Sequence, residues 1–245
     1  MILIVLPAYN EAAGLPPLLN EIRAVMNESR LEYKVVVVDD GSSDATWDTI
    51  VRHAQEMPVV PVRHEVNRGL AEALRSGLQV ALAQAAPTDV IVTMDADNTH
   101  APGLVMRMLG LIREGHDVVI GSRYVPGARV VGVPFHRRLL SYNASLLMRT
   151  VFPIEGVRDY TCGFRAYRAS ILQKAFERYS ERLISQKGFS CMVDILLKLR
   201  TLDHPIMTEV PLVLRYDLKH GMSKMRAART IVDTLVLMGR NLRGR

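Results

Sequence analysis

Asp95 and Asp97 stand two apart, directly behind the apolar run VIVTM at 90–94. One bend in the chain lets both carboxylates converge. Two hard oxygen ligands, completed by phosphate oxygens and water, are the usual way to hold Mg²⁺ or Mn²⁺. By itself, an Asp-x-Asp pair equally makes a turn with an Asx hydrogen bond. Three further polar clusters shift that balance. Glu11 closes PAYNE at 7–11, Asp39 and Asp40 open DDGS at 39–42, and Arg123 lies in GSRY at 121–124, each behind another apolar run. Acids gathered at one sheet edge repel one another unless a cation sits among them. That is the physical argument for a divalent metal.

The elements that must position these residues follow from hydrophobic period. Residues 2–6 are apolar on both faces, as a buried strand is, 34–39 read as a second buried strand, and 59–63, 90–94 and 117–121 read as three more strands. Between them, residues 10–29, about 43–55, 70–85 and 102–114 have helical period. Leu15, Leu18, Leu19, Ile22 and Met26 form one stripe, and Ser43 or Asp44 serves as a helix cap. Alternating strand and helix units predict an α/β fold, a mostly parallel sheet with helices on both faces. In such sheets ligands bind outside the carboxyl ends of the strands, where the polar clusters fall. After residue 121 the pattern changes. Residues 125–134 read as loop, 135–152 as a basic amphipathic helix, and 161–167 and 207–214 as strands that extend the sheet. Residues 169–178 and 189–202 read as helices, 220–223 as a glycine-containing loop, and 225–242 as a last amphipathic helix. The expected organisation is one domain over 1–224 with a basic helical extension over 225–245.

Composition and missing motifs exclude several classes. The chain of 245 residues is 49% hydrophobic and 23% charged, unlike a disordered chain. Two cysteines cannot make a disulfide framework and read as buried thiols. No Gly-x-Gly-x-x-Gly follows the first strand, and no Walker loop or Gly-x-Ser-x-Gly elbow occurs. The seven histidines lack zinc spacing; His100 reads as a neighbour of the Asp95–Asp97 loop or a helix-start residue, and Trp47 as packing. No apolar run reaches the ~18 residues of a membrane span, and the N-terminus lacks the basic region of a signal peptide.

The net charge of +6 is unevenly placed. Residues 118–154 hold five arginines and no acid, and residues 217–245 hold seven basic residues against two acids. One face that meets an anion is the expectation. Nucleic acid is a poor candidate, because acidic strand ends repel its backbone and aromatics are only 6% of the chain.

VLPAYNE at 5–11, VDDGS at 38–42 and MDAD at 94–97 resemble the signature of family 2 glycosyltransferases with the GT-A fold. GSRY at 121–124, RRLLS at 137–141, TCGFR at 161–165, and Arg215 with GMSK at 221–224 resemble its polyprenyl-phosphate branch, of the dolichol-phosphate mannose synthase type. The likeness runs from residue 2 to about residue 224. It implies that Pro7, Tyr9, Glu11 and Asp40 line the base and ribose, with Asp39 beside them and Asn67 to Gly69 approaching the nucleotide. It implies that Asp95 and Asp97 hold the metal on the donor diphosphate. Arg123, Arg137 and Ser141 would bind the acceptor phosphate, and Arg215 and Lys224 would reach the donor phosphates. Two positions depart from the pattern. Thr99 stands where archaeal relatives have Gln as a further metal contact, so the metal choice stays open. Asp194 stands where a glutamate is common, so its acceptor role stays open.

Charge suggests the mechanism. A phosphate monoester is largely dianionic at pH 7 and already a nucleophile, so it needs orientation more than a base. Arginine forks suit that task. The expected reaction is single-step inverting transfer of a sugar, with Asp97, Arg123 and Arg215 central. The resemblance implies dolichyl or polyprenyl phosphate as acceptor, and it alone implies mannose from GDP-mannose as the first donor. UDP-glucose or another donor, a saccharide acceptor, and a silent sugar-nucleotide sensor are the alternatives. The expected location is cytoplasmic, peripheral on the cytoplasmic face of a membrane, either directly or through an anchoring subunit. The basic helix 135–152 and the C-terminal helix would touch lipid.

Overall fold

The structure, a computed structural model, describes residues 1–188 and 190–218. The side chains of residues 136 and 137 are outside that description. So are Lys224, the glycine loop at 220–223 and the expected C-terminal helix.

The chain runs β1 (Ile2–Ala8), α1 (Leu15–Glu28), β2 (Tyr33–Asp40), α2 (Thr46–Ala54), β3 (Val59–His64), α3 (Leu70–Leu82), β4 (Val90–Thr93), α4 (Leu104–Arg113) and β5 (Val118–Ser122). It continues through β6 (Arg129–Val131), α5 (Phe135–Val151), β7 (Arg165–Arg168), α6 (Ala169–Tyr179), α7 (Ser190–Leu199), β8 (Met207–Pro211) and β9 (Val213–Arg215). Seven strands form one sheet in the order β3-β2-β1-β4-β7-β5-β8. All its pairings are parallel except those of β7, which runs antiparallel to both β4 and β5.

The central strands are buried without alternation. Ile2 to Leu6 and Val35 to Val38 are at most 2% exposed, which requires cover on both faces. Each such side chain contributes roughly 1.5–3 kcal/mol by burial. The predicted stripe of α1 is entirely buried. On α3, Gly77 lies so close to β1 and β2 that a Cβ there would meet Val5 Cγ1 at 2.5 Å. Helix and sheet are therefore in backbone-near contact at that point.

The structure corrects several expectations. α1 starts at Leu15 rather than near Asn10, because Asn10 takes a left-handed φ of 51° and prolines occupy the first helical turn. α2 has Ala45, not Ser43 or Asp44, at its cap; the Asp44 carboxylate accepts the Thr46 N–H at 3.0 Å from outside the helix. The stretch expected to be loop contains β6, which pairs in parallel with β9 as a separate two-stranded sheet. The single strand expected over 207–214 splits into β8 and β9. β7 is shorter than expected and does not extend the sheet: it is inserted between β4 and β5.

Candidate active site at the strand ends

The ends of β1 and β2 are laced together. Asn10 donates its N–H to Ser42 Oγ at 2.9 Å and accepts the Ser43 N–H at 2.9 Å; Glu11 donates its N–H to Thr46 Oγ1 at 2.8 Å. Asp39 is fully buried. Its Oδ1 accepts the Ser42 N–H at 3.0 Å, whereas Oδ2 has no hydrogen-bond partner and lies 3.9 Å from Arg63 Nε. A buried carboxylate oxygen left unsatisfied is costly. A base N–H or a ribose hydroxyl would satisfy it.

Asp40 is brought to the same place and also bonds the protein. Oδ1 lies 2.7 Å from His64 Nδ1 and accepts the Arg68 N–H at 2.9 Å, and Oδ2 accepts the Gly69 N–H at 2.7 Å. It therefore fixes the segment that carries Asn67 and Gly69. Gly41 lets that segment approach: its φ is 68°, and a Cβ there would fall 2.4 Å from the Val66 carbonyl carbon. Pro7 and Tyr9 flank the same end, with Tyr9 36% exposed.

The end of β4 carries the acidic pair. Asp97 Oδ1 accepts the Thr99 N–H at 3.2 Å and its hydroxyl at 2.7 Å, and Asn98 takes φ 61°. Thr99 thus orients Asp97. His100 Nδ1 accepts the Asp95 N–H at 3.3 Å while its ring stacks on Phe164 at 5.0 Å. The loop is therefore held from both ends. Gly14 joins it to β1: a Cβ there would lie 3.2 Å from Glu11 Oε2 and 3.6 Å from the Asp97 carbonyl carbon. Gly163 leaves open space at Asp95, since a Cβ there would lie 3.3 Å from Oδ1.

The donor set fits a hard divalent cation. No group of three or more His, Cys, Asp or Glu side chains converges among the described residues. Two carboxylates leave most of a coordination shell to phosphate and water, as Mg²⁺ and Mn²⁺ sites on nucleotides do.

At the end of β5, Arg123 makes a side-on fork with Asp159. Nε donates to Oδ2 at 2.8 Å and Nη2 to Oδ1 at 2.7 Å; Nη2 also donates to Thr161 Oγ1 at 2.6 Å. Burial alone would raise the Asp159 pKa, but the Arg123 guanidinium holds it below the usual carboxylate range. Burial works against the Arg123 charge too, and Asp159 outweighs it, so Arg123 stays a cation. The neighbouring Tyr124 hydroxyl bonds Ser141 Oγ on α5 at 2.6 Å. That contact joins the strand end to the basic helix. Arg137 stands four residues before Ser141 on α5.

β9 crosses beside the acidic loop. The Arg215 N–H donates to the Thr99 carbonyl at 3.0 Å, and Leu214 bridges to His100. The Arg215 guanidinium instead forks onto Asp217, at 2.9 and 2.8 Å. So the backbone of Arg215 is at the site, while its charge is held by an exposed neighbour.

Asp194 is also committed: its carboxylate takes the Ser185 N–H and hydroxyl and the Lys198 ammonium. Cys162 and Cys191 are buried, and burial pushes both thiols up to about 12, so they are inert at neutral pH. A cleft of about 570 Å³ lies between α5, the 153–160 segment and β8. Its walls include Arg158 and Glu209 but neither Asp95 nor Asp97.

Residues 3–176 match the sequence family Glycosyl transferase family 2. The chain belongs to that family. This family 2 glycosyltransferase is 37% identical over 225 residues to the undecaprenyl-phosphate mannosyltransferase of Micrococcus luteus, covering 91% of this chain and 87% of that one. It is 32% identical over 233 residues to the dolichol-phosphate mannosyltransferase of Pyrococcus furiosus, covering 95% of this chain and 61% of that longer protein. In fold it is similar to glucosyl-3-phosphoglycerate synthase of Mycobacterium tuberculosis, solved with Mn²⁺, UDP and phosphoglyceric acid. The TM-score is 0.66 at 20% identity, over 98% of this chain and 78% of that one. The GT-A expectation for the fold therefore holds.

Sequence reasoning missed Asp159, His64 and Glu209, and placed Thr161 in the TCGFR motif without giving it a role. Each acts on a named site residue or its segment from a distant stretch of chain. The one available signal was Asp159 itself, an acid closely following a long stretch that has arginines and no acid.

Proposed function

We propose that this glycosyltransferase moves a sugar, mannose from GDP-mannose, onto a dolichyl or polyprenyl phosphate, with inversion. The observation that carries the reading is the Tyr124–Ser141 hydrogen bond, 2.6 Å long. It ties the strand-end site to α5, whose Phe135, Leu139, Leu140, Tyr142, Leu146 and Leu147 are all exposed. An exposed apolar and basic helix joined to a phosphate-type site suits an acceptor that is lipid at one end and phosphate at the other. The names of the relatives point to the same acceptor class.

The donor nucleotide lies against Pro7, Tyr9, Glu11 and Asp39, whose free Oδ2 takes a base or ribose hydrogen. Asp40 serves by positioning Asn67 and Gly69. Asp95 and Asp97, oriented by Thr99, would hold Mg²⁺ or Mn²⁺, as the fold neighbour solved with Mn²⁺ and UDP suggests; the ion would offset charge on the diphosphate leaving group. Arg123, Arg137 and Ser141 receive the acceptor phosphate. One of its oxygens attacks the anomeric carbon as the bond to the diphosphate breaks, so no protein base is required. Arg215 and Lys224 meet the donor phosphates; Arg215 does so by exchanging Asp217 for phosphate, an easy trade for a solvent-screened pair. The protein works at the cytoplasmic face of a membrane, directly or through an anchoring subunit.

The test is transfer of labelled sugar into an organic-extractable lipid. Short polyprenyl phosphate, a panel of GDP- and UDP-sugars, and Mg²⁺, Mn²⁺ or chelator would be supplied. Metal-dependent label from GDP-mannose is expected. Donor hydrolysis without lipid label would move the acceptor to a saccharide and overturn the reading.

A further inference from the structure

The acceptor side of the site holds a residue whose work is done entirely through another. Arg123 has five N–H donors. Nε and both hydrogens of Nη2 are committed, to Asp159 Oδ2, Asp159 Oδ1 and Thr161 Oγ1. Only the two N–H groups of Nη1 have no partner among the described residues. The guanidinium therefore cannot offer a phosphate the two-nitrogen fork expected of a free arginine. It is locked in one orientation and presents a single nitrogen.

Asp159 is itself unusually well fixed. It is fully buried, and its carboxylate also accepts the N–H groups of Arg123 at 3.1 Å and Cys162 at 3.1 Å. Its own N–H, with that of Arg158, is held by Glu209 Oε1 at 2.5 and 2.6 Å. Glu209 lies on β8 and Arg123 follows β5; these strands pair in parallel, with Ile120 opposite Glu209. The chain Glu209 to Asp159 to Arg123 is thus braced by the sheet.

We propose that Asp159 is the positioning residue of the acceptor-phosphate site. It fixes Arg123 so that Nη1 alone meets the phosphate, and Glu209 fixes Asp159. The consequence is a division of labour. Asp159 neutralises the Arg123 charge, so Arg123 supplies direction, and the net positive charge that draws in a dianion comes from the arginines of α5. The inference rests on the transfer to polyprenyl phosphate proposed above.

The experiment is a double-mutant cycle on the full chain, using short-chain polyprenyl phosphate and GDP-mannose. Asp159→Asn is expected to raise the acceptor KM about tenfold or more. GDP affinity in the presence of Mn²⁺, read by calorimetry, is expected to stay within about twofold. In an Arg123→Ala background, Asp159→Asn is expected to change the acceptor KM no further. Thr161→Val, which frees one Nη2 hydrogen without touching a buried charge, is expected to shift the acceptor KM alone, and it keeps the test available if Asp159→Asn fails to fold. An unchanged acceptor KM in both variants would overturn the proposal, as would additive effects of Arg123→Ala and Asp159→Asn. Absence of lipid transfer by the unmodified protein is a separate failure, that of the acceptor assignment.

Discussion

Asp97 and Glu209 show how differently single carboxylates are used here. Asp97 accepts an N–H and a hydroxyl from Thr99. Losing two such bonds costs about 1–2 kcal/mol, a few degrees in Tm for a chain of this size. Losing a metal ligand costs several kcal/mol of transition-state stabilisation. Asp97→Ala is therefore expected to cut metal-dependent transfer at least about a hundredfold while circular dichroism still reports a folded protein. A near-normal rate would remove Asp97 from the metal. Glu209 is the opposite case. Burial raises its pKa, against the two backbone N–H groups that lower it. A raised folded value means that its contribution to stability is full below the ordinary range, near 4.5, and is lost as pH rises through the folded value. Glu209→Gln keeps an oxygen for both N–H groups and removes the charge. Its Tm is expected to match or exceed that of the unmodified protein at pH 7, with the gain shrinking as pH falls toward 4.5; a large loss at pH 7 would contradict this.

The helices and strands position these groups through contacts that a glycine often decides. Gly77 and Gly110 both lie inside helices, and period alone gives no reason to treat them differently. A Cβ on Gly77 would meet Val5 Cγ1 at 2.5 Å and Val38 Cγ2 at 3.1 Å, whereas one on Gly110 meets nothing within 4 Å. Overpacking against stiff β-branched neighbours costs about 1–3 kcal/mol, against a helix-propensity gain of about 1 kcal/mol for Ala over Gly. Gly77→Ala is expected to lower Tm and Gly110→Ala to raise it by up to a few degrees, as thermal melts would show. A rise in both would mean that α3 stands farther from the sheet. The same scale explains β9. Three residues of an exposed strand secure Arg215 beside Thr99 because its backbone, not its side chain, reaches the acidic loop.

For the molecule as a whole the question is how it meets its acceptor. No helix among the described residues is long and apolar enough to cross a membrane. The exposed apolar residues of α5 offer another route, lying in the interface with arginines at the headgroups. Leu139 and Leu146 are each nearly half exposed. Replacing both by Ser removes apolar area worth on the order of 2–3 kcal/mol if both insert. The double variant is expected to bind vesicles containing anionic phospholipid at least about tenfold more weakly in sedimentation, with the soluble-donor affinity unchanged. Equal binding would move the membrane contact off α5. Raising salt is expected to weaken the unmodified protein too, because the arginine part of the attraction is screened.

Much of this protein is legible from the order of its residues. Continuous apolar runs such as VVVV at 35–38 cannot be half-buried strands, and acids placed directly behind them mark a ligand edge without any coordinates. The family signature added the chemistry. What the sequence could not show depends on groups far apart in the chain. β7 enters the middle of the sheet, antiparallel to both β4 and β5, from a segment that follows both in the chain. Asp40, read as a nucleotide contact, is also hydrogen-bonded to His64, Arg68 and Gly69. Arg123, read as an acceptor-phosphate contact, spends three of its donors on Asp159 and Thr161. A side chain's type is written in the sequence; how many of its hydrogen bonds remain for a ligand is decided by which neighbours folding brings within about 3 Å.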